Sequence, residues 1–384
     1  MQLSKEELRL GWNADRKKQR RRFWITLGVV FALFLLCLCF RYHAYDYDDK
    51  FCPDEYARSY ALAIRLLFAR IFDTPLWYQK DAAIAAVGGS VSYYGALAQL
   101  RLVLMTFVAG AAVSIAGAIF QTAYRNPMAS PNIIGASAGV GLGNVVVVML
   151  FSAACYDHIL LRYEYCYGFT AICVLLVLLL GKIAGSKQEN YSILNMIMAG
   201  SVISQIINVI TMYFMYNLTD EDLVLYQLIS LGTYIDTSAL SMSIFMVVMA
   251  ISLLPVLLMR YRFNAIGMDK TETTSLGLST GGLRLVGQIC GAVMVTCAMI
   301  HCGQVGMISM VIPYLLRRVV GSDFRHLAVY SGLIGGGLLM LCRLGTSFFL
   351  IAGEPLPVSF LIQLVLMPAF MVILARQRGA MHET

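Results

Sequence analysis

The sequence predicts an all-α polytopic membrane protein, because apolar residues dominate it and are gathered into long runs. Of its 384 residues, 59% are hydrophobic and only 13% are charged, whereas a soluble domain carries about 25% charged residues. So much apolar surface exceeds what one soluble core can hold, since single cores stop growing near about 250–300 residues. The runs approach the roughly 20 residues that a helix needs to cross a bilayer. We therefore predict ten transmembrane helices, at 23–40, 102–120, 133–151, 167–183, 193–216, 238–259, 283–300, 305–320, 327–351 and 357–375.

The segments before and after the spans differ in charge. The run from Lys17 to Arg22 is typical of a cytoplasmic anchor for a first span, an interpretation that we prefer to a nucleic-acid-binding arm. Residues 54–72 have an apolar stripe but too many charges to span, which predicts an amphipathic helix on the membrane surface. The predicted segments are a basic tail (1–22), the first span (23–40), an extracytoplasmic segment (41–100), a core of nine spans (101–376) and a C-terminal tail (377–384).

The distribution of positive charge predicts the orientation. Ten spans place both termini on one side of the membrane, and that side holds 20 of the 29 Lys and Arg residues. Lys and Arg are enriched in cytoplasmic loops. We therefore expect a protein of the cell membrane with both termini in the cytoplasm.

Cysteine and histidine give weaker signals. Most of the ten cysteines lie within predicted spans, where they pack as small apolar residues. Cys155 and Cys166 flank one predicted outer loop and are placed to form a disulfide, although spacing alone does not settle the pairing. His301 and Cys302 have no second pair of ligands nearby, so an ordinary loop is favoured over a metal site. We predict no metal and no cofactor.

Small residues are spaced for helix packing in the third span. Gly135, Gly139 and Gly143 recur every four residues and so share one helix face. Such stripes let membrane helices approach closely. We interpret this glycine-rich run as a packing face, because no soluble strand precedes it as a dinucleotide-binding loop would require.

Polar, uncharged residues mark one face of the fifth span. Ser201, Gln205 and Asn208 lie on it, and Gln363 lies in the tenth span. A polar face in lipid must meet another helix or a water-filled path, and packing and pathway lining remain equally open. Arg343 is the one charged residue well inside a predicted span, and no phosphate-binding loop is present. The pattern indicates a conduit that depends on an external energy source.

The longest predicted cytoplasmic loop, 260–283, is a candidate attachment point for such a source. Asp269 can cap a short helix that reaches Leu276, and Gly277 then suits the left-handed position after it. A short capped helix between two spans could act as a lever. The alternative is a simple connector.

Four strings in order resemble the FecCD-type permeases of ABC importers, which carry iron siderophores, haem or cobalamin. They are RLVLMTFVAGAAVSIAGAIFQTAYRNPMASPNIIGASAGVGLG (101–143), TSLGL (274–278), GQVGMISMVIPYLLRRVVGSDFRHL (303–327) and EPLPVSFLIQLVLMPAF (354–370). The resemblance runs from about residue 97 to 376, while the first 96 residues match only in layout.

The resemblance implies a type II ABC importer permease with ten helices in two inverted repeats. It implies three kinds of partner: a second permease subunit, either identical or homologous, two cytoplasmic ATPase subunits and an extracytoplasmic binding protein. The chain would then be no enzyme itself. Positions that match the family's ATPase-coupling loop are Glu272, Ser275, Leu276 and Gly277. The fifth span matches the helix that lines the central path, which makes Ser201, Gln205 and Asn208 candidates there.

The chain departs from the family pattern where the binding protein docks. The usual R-L-P-R at the start of span two reads Arg101-Leu102-Val103-Leu104, so its second Arg is missing. In span nine, Arg343 falls near the position of the family's Asp. Arg101 and Arg343 are the remaining candidates for docking. The leading hypothesis is uptake of an iron chelate, haem or corrinoid, and the alternative is an ion-coupled secondary transporter of a small organic ligand.

Replacement of Gly277 by Val should uncouple ATP hydrolysis from uptake and leave membrane insertion normal. A β-branched residue at a positive backbone φ is strained, so the variant should distort the end of the predicted lever helix. ATP hydrolysis and ligand uptake in reconstituted vesicles measure the effect. Wild-type transport in the variant would show that the loop is only a connector.

Overall fold

The computed structural model describes residues 5–39, 90–152, 159–183, 193–233, 236–266, 280–346, 350–351 and 354–382. Helices make up nearly all of these residues, and a two-residue antiparallel pair, β1 (Leu350–Ile351) with β2 (Glu354–Pro355), precedes the last helix. The helices are α1 (Lys5–Cys39), α2 (Ser90–Ala123), α3 (Ala136–Phe151), α4 (Ile159–Ile183), α5 (Ile193–Tyr216), α6 (Asp220–Leu231), α7 (Ala239–Leu258), α8 (Arg260–Ile266), α9 (Thr280–Cys302), α10 (Gly306–Val320), α11 (Phe324–Thr346) and α12 (Val358–His382). A 3₁₀ turn at Pro131–Ile134 leads into α3.

The predicted fold class is confirmed, since every one of the ten predicted spans falls on a helix. Seven helices in the described part of the chain are long and apolar enough to cross a membrane. Two further apolar segments, α3 and residues 358–372 of α12, are shorter. The helix α10 has 15 residues and contains Pro313. Ten membrane crossings therefore remain a prediction. The predicted amphipathic helix at 54–72 lies outside the described residues.

Several helix boundaries differ from those of the predicted spans, and α1 (Lys5–Cys39) and α12 (Val358–His382) extend beyond theirs. The helices α2 and α4 begin at Ser90 and Ile159, earlier than predicted, because charged residues, Arg101 in α2 and Arg162 and Glu164 in α4, lower the hydropathy before the predicted starts. The predicted span 327–351 is too long, since α11 ends at Thr346 and β1 follows. The helix α6 was not predicted at all, because its acidic first turn made the stretch resemble a loop.

The helix α2 lies at the centre of the bundle and packs against α9, α10 and α11. Many of its buried residues are small or branched, such as Ala109, Val113, Ala116 and Ile119. The backbones of α2 and α11 approach each other closely because glycines lie at the contact. A Cβ at Gly110 would lie 2.5 Å from the Gly335 carbonyl oxygen. Small residues at helix interfaces are typical of membrane proteins, where lipid competes with apolar side chains for contact.

A second layer consists of α3, α4 and α5. The helices α3 and α4 meet closely, because a Cβ at Gly139 or Gly143 would lie 2.6 Å from the Cα of Thr170 or Cys166. Gly135 differs from these two, since it has a left-handed φ of 76° and joins the 3₁₀ turn to α3. The helix α5 packs on α3, α4 and that turn.

The outward faces of several helices are apolar. Exposed residues on α4 include Ile172, Leu175 and Leu179, and α7 exposes Ile251 and Leu254. Apolar residues exposed in this way suit a lipid surrounding. The bundle is that of a multi-pass membrane protein.

Replacement of Gly117 by Ala should destabilise the bundle by about 2 kcal/mol, the usual scale for overpacking. A Cβ at this position would overlap the backbone of Ser309, where α2 meets α10. The thermal midpoint of the purified protein measures the effect. The matched control is Gly28→Ala on α1, where a Cβ meets nothing within 4 Å. Equal stability of the two variants would contradict the proposed close contact.

Candidate functional site

The helix α5 presents a polar face at the surface of the single chain. Ser201, Gln205 and Asn208 are all exposed on it, and the Ser201 hydroxyl donates to the carbonyl of Met198 at 2.9 Å. Between them lie exposed apolar residues, including Val202 and Ile206. A surface of this mixed kind needs a further helix or water against it, because polar groups are costly in lipid.

The opposite face of α5 is held firmly by the bundle. Ile203 and Ile207 are buried, and a Cβ at Gly200 would overlap the carbonyl of Ile133 in the 3₁₀ turn. The Ser204 side chain is turned inward, since its oxygen lies 3.5 Å from the place a Cβ would take at Gly135. The predicted polar residues therefore share an exposed face with a fixed direction.

Gln363 is exposed on α12, a different helix from the other three. Exposed apolar side chains surround it, among them Phe360, Leu364 and Met367. The pattern is the same as on α5, with a polar amide on an otherwise apolar outward face.

Three arginines donate to backbone carbonyls near the end of the bundle where α4 and α7 begin. Arg101 is half-buried and donates to the Thr237 oxygen at 3.1 Å. Arg343 is buried and donates to the Gly232 oxygen at 2.7 Å. Arg162 is also buried and donates to the Ile300 oxygen at 2.6 Å. Ile300 and Gly232 lie at helix ends, where carbonyls lack intrahelical partners and arginine satisfies them well. Thr237 lies just before α7.

Sequence reasoning missed the role of Arg162 because it placed this residue in a loop. A buried polar group surrounds it: the Tyr163 hydroxyl hydrogen-bonds to the His301 ring, whose other nitrogen lies 3.4 Å from the Ser241 hydroxyl. Burial of Arg162 could not be read from the sequence, since its contact at Ile300 lies 138 positions away.

The helix α6 begins and ends with strong local caps. At its start the Thr219 side chain is the N-cap: its hydroxyl oxygen accepts from the Asp222 backbone amide, and the hydroxyl donates to the Asp222 carboxylate. The Ser152 hydroxyl at the end of α3 donates to the same carboxylate at 2.6 Å. Gly232 ends the helix with a left-handed φ of 75°. The sequence contains the signals for both ends of this helix: Thr-x-x-Asp at 219–222 for its start and Gly232 for its end.

Other elements hold the last carbonyls of α6. Arg343 of α11 bonds to Gly232, and the Ser359 hydroxyl of α12 donates to the Leu231 oxygen at 2.7 Å. The backbone amide of Gln304, just after α9, donates to the Ser230 carbonyl oxygen at 3.1 Å. The carbonyls of three consecutive residues, 230 to 232, thus accept hydrogen bonds from three different parts of the bundle. We call this set of contacts the α6 anchor.

The opposite end of the bundle is where α2 ends and α11 begins. Arg317 of α10 donates to Gln121 and Thr122 of α2 at 3.1 and 2.8 Å. Arg125, which follows α2, donates to the Ile266 oxygen at the end of α8 at 3.1 Å. The predicted coupling residues Glu272, Ser275, Leu276 and Gly277 lie outside the described residues, directly after α8.

The predicted disulfide and possible metal ligands can be compared with the described part of the chain. Cys166 is a buried free thiol within α4, and Cys155 lies outside the described residues. The Cys166 thiol lies 3.3 Å from the amide oxygen of Asn144. Among the described residues, no group of three His, Cys, Asp or Glu side chains is placed to hold a metal ion.

Replacement of Ser359 by Ala should destabilise the α6 anchor, because the Leu231 carbonyl loses this partly buried donor. Loss of one such hydrogen bond costs about 0.5–1.5 kcal/mol. Hydrogen exchange of residues 225–232 should therefore accelerate. The control is Ser243→Ala, since that exposed hydroxyl bonds only within its own helix, to Ala239. Unchanged exchange in the Ser359 variant would show that the anchor does not depend on this contact.

Comparison with known proteins gives relatives along most of the chain. A haemin transport system permease protein of Yersinia pestis, HmuU, is 26% identical over 285 residues, covering 73% of this chain and 82% of that protein. The molybdate import system permease MolB of Haemophilus influenzae is 24% identical over 290 residues, with coverages of 74% and 82%. A solved metal-chelate type ABC transporter in an inward-facing conformation has the same fold, with a TM-score of 0.69, 18% identity and coverages of 93% and 99%.

The sequence model of the FecCD transport family matches residues 62–376. This range includes every helix from α2 to α11 and most of α12. The predicted family is thereby confirmed, and the chain belongs to the FecCD transport family as the permease component of an ABC importer.

Proposed function

We propose that this permease takes up an iron chelate, haem or a corrinoid that an external binding protein delivers. The exposed polar face of α5 carries the proposal. It combines Ser201, Gln205 and Asn208 with apolar neighbours and contains no ionisable group, since α5 has no Asp, Glu, Lys, Arg or His along its length. Uncharged donors and acceptors suit weak, successive contacts with a large chelate whose metal charge is shielded.

The same face supports assembly of two permease subunits. A two-fold pair brings the same surface of both subunits together. Exposed Val202, Ile206 and Val209 would then be buried between them, while the polar residues would line a path at the axis. Gln363 on α12 supplies a further amide for the wall of that path. Two ATPase subunits would drive the pair.

We place both termini in the cytoplasm, in agreement with the positive charge at the end where α2 ends. The ATPases would bind at this end, through the loop that holds Glu272, Ser275, Leu276 and Gly277. The binding protein would dock at the opposite end. Arg101 is its more accessible candidate contact there, whereas Arg343 is buried and bonded to Gly232. Arg343 would then act on docking indirectly, through the α6 anchor.

The alternative of an ion-coupled transporter has less support. Such carriers usually hold ionisable groups within their spans. In this chain α3 and α7, like α5, contain no Asp, Glu, His, Lys or Arg. The buried Arg162, Arg343 and His301 lie near one end of the bundle, where both arginines bond to backbone carbonyls. An external source of energy accounts for transport without ionisable groups on the polar face of α5.

Uptake into vesicles tests the proposal. Proteoliposomes would contain the permease and its ATPase, with the binding protein outside and ATP inside. The probes are a radiolabelled ferric chelate, haemin, cobalamin and molybdate. We expect accumulation of one of the first three only with ATP and ATPase. Accumulation driven by an ion gradient alone would overturn the importer mechanism, and ATP-driven accumulation of molybdate alone would overturn the ligand class.

Replacement of Gln205 by Leu should reduce this uptake about fivefold, the effect expected from loss of one hydrogen-bonding group of about 1 kcal/mol. The residue is exposed, so the fold should be unaffected. Gln205→Asn keeps the amide and should restore much of the rate. Co-purification of the ATPase controls for assembly. Equal uptake by the Leu variant and the wild type would remove Gln205 from the path.

A further inference from the structure

The helix α8 is the last described element before the predicted coupling loop. It follows α7 after Met259 alone, and α9 begins at Thr280 on the far side of the loop. Phe263 and Ile266 are fully buried, and the Phe263 ring lies 4.9 Å from that of Phe324 in α11. A short helix that is buried so well cannot move without displacing its neighbours, since cores are close-packed.

Asn264 of α8 binds the start of α11 with both ends of its amide. Its nitrogen donates to the Asp323 carboxylate at 2.9 Å, and its oxygen accepts from the Phe324 backbone amide at 2.7 Å. The amide therefore contributes to the N-terminal cap of α11 from outside that helix. Phe324 is one of the first amides of α11, which have no partner within the helix.

Asp323 completes the cap from its own side. Its carboxylate accepts from the Arg325 backbone amide at 3.0 Å and from the Arg325 guanidinium at 2.6 Å. Hydrogen bonds from Arg325, and then from Asn264, hold the pKa of this carboxyl well below its usual range. The carboxylate is thus ionised at neutral pH. Asn264, Asp323 and Arg325 form a single group, which we call the α11 clamp.

The helix α11 joins the clamp to the α6 anchor at the other end. It has 23 residues, which corresponds to about 35 Å at 1.5 Å per residue. Along this length it packs on α2, where a Cβ at Gly335 would lie 2.7 Å from the Gly110 oxygen. Near its end Arg343 bonds to Gly232 of α6. A single helix therefore contacts α8 at its start and α6 at its end.

We infer that Asn264 is a positioning residue for coupling: its contact with Asp323 transmits movement of the coupling loop through α8 to α11, and so to α6. The inference rests on the proposed coupling role of the loop after α8. A second contact, from Arg125 to Ile266, joins α8 to α2 and holds α8 in place when the clamp is lost.

Hydrogen exchange tests the clamp without any transported ligand. The full-length permease with its ATPase would be studied in lipid nanodiscs, with ADP and with ATP plus vanadate. In the wild type we expect nucleotide to change exchange in both α8 and residues 324–330. Asn264→Asp places two carboxylates against each other, which like charges disfavour. The nucleotide response of residues 324–330 should then fall about fivefold, within the range of measured couplings, while that of α8 remains.

The double variant Asn264→Asp with Asp323→Asn separates coupling from damage to the fold. It exchanges the amide and the carboxylate, so the hydrogen bond returns with donor and acceptor reversed, and we expect the α11 response to recover. The matched control is Asn217→Asp, because that exposed amide bonds only to Tyr213 in its own helix end. It should behave as the wild type.

Three results would overturn the inference. They are a wild-type response in Asn264→Asp, a double variant that folds but does not recover, and a wild-type complex in which nucleotide changes α8 but not α11. Failure of the proposed function would appear in the uptake assay, as a wild-type permease that accumulates none of the chelate probes. The two failures are distinguishable because the exchange measurement uses nucleotide alone.

Discussion

The close approach of α2 to α10 and α11 is the constraint on which the rest of the structure depends. Lipid is as apolar as the side chains, so helices in a membrane gain little from hiding apolar surface and depend on packing and hydrogen bonds. Gly110 and Gly335 allow backbone contact between α2 and α11, and Gly117 allows it against Ser309 of α10. Because α2 is buried on most sides, α9 and α1 also take their positions from this central group.

The two ends of the bundle use the few buried charges for structure. Arg162 and Arg343 each donate to a backbone carbonyl at one end, and Arg317 bonds to Gln121 at the other. The guanidinium groups of Arg162 and Arg343 replace the water that helix-end carbonyls would otherwise bind, whereas Arg317 joins α10 to α2 through side chains. The membrane-facing length of α5 needs no such group, since its backbone is satisfied within the helix. Backbone groups need hydrogen-bond partners wherever they are buried. This requirement explains both the charged side chains at the ends of the bundle and the uncharged polar residues along α5.

Local patterns in the sequence predicted the helices, but they did not predict contacts between residues that are far apart in the chain. The four-residue spacing of Gly139 and Gly143 indicated one packing face, because helix periodicity is a local property. The left-handed turn at Gly135 was not foreseen, since it depends on the preceding 3₁₀ turn. Arg343 was interpreted as a docking candidate. Its partner Gly232 lies 111 positions away, so neither its burial nor its contact could follow from spacing.

The position of α6 decides how the polar face of α5 can respond to events elsewhere. The turn from Asn217 to Thr219 is short, so the start of α6 stays next to the end of α5. The other end of α6 is fixed by α11, α12 and the residue after α9. A displacement of α11 along its axis would pull on Gly232, whereas α5 is held by α3 and α4. Such a movement would change the angle between α5 and α6 and leave the polar face itself in place. In the proposed importer, the polar face would then be a fixed wall of the path and α6 a movable end, an arrangement that suits alternating access.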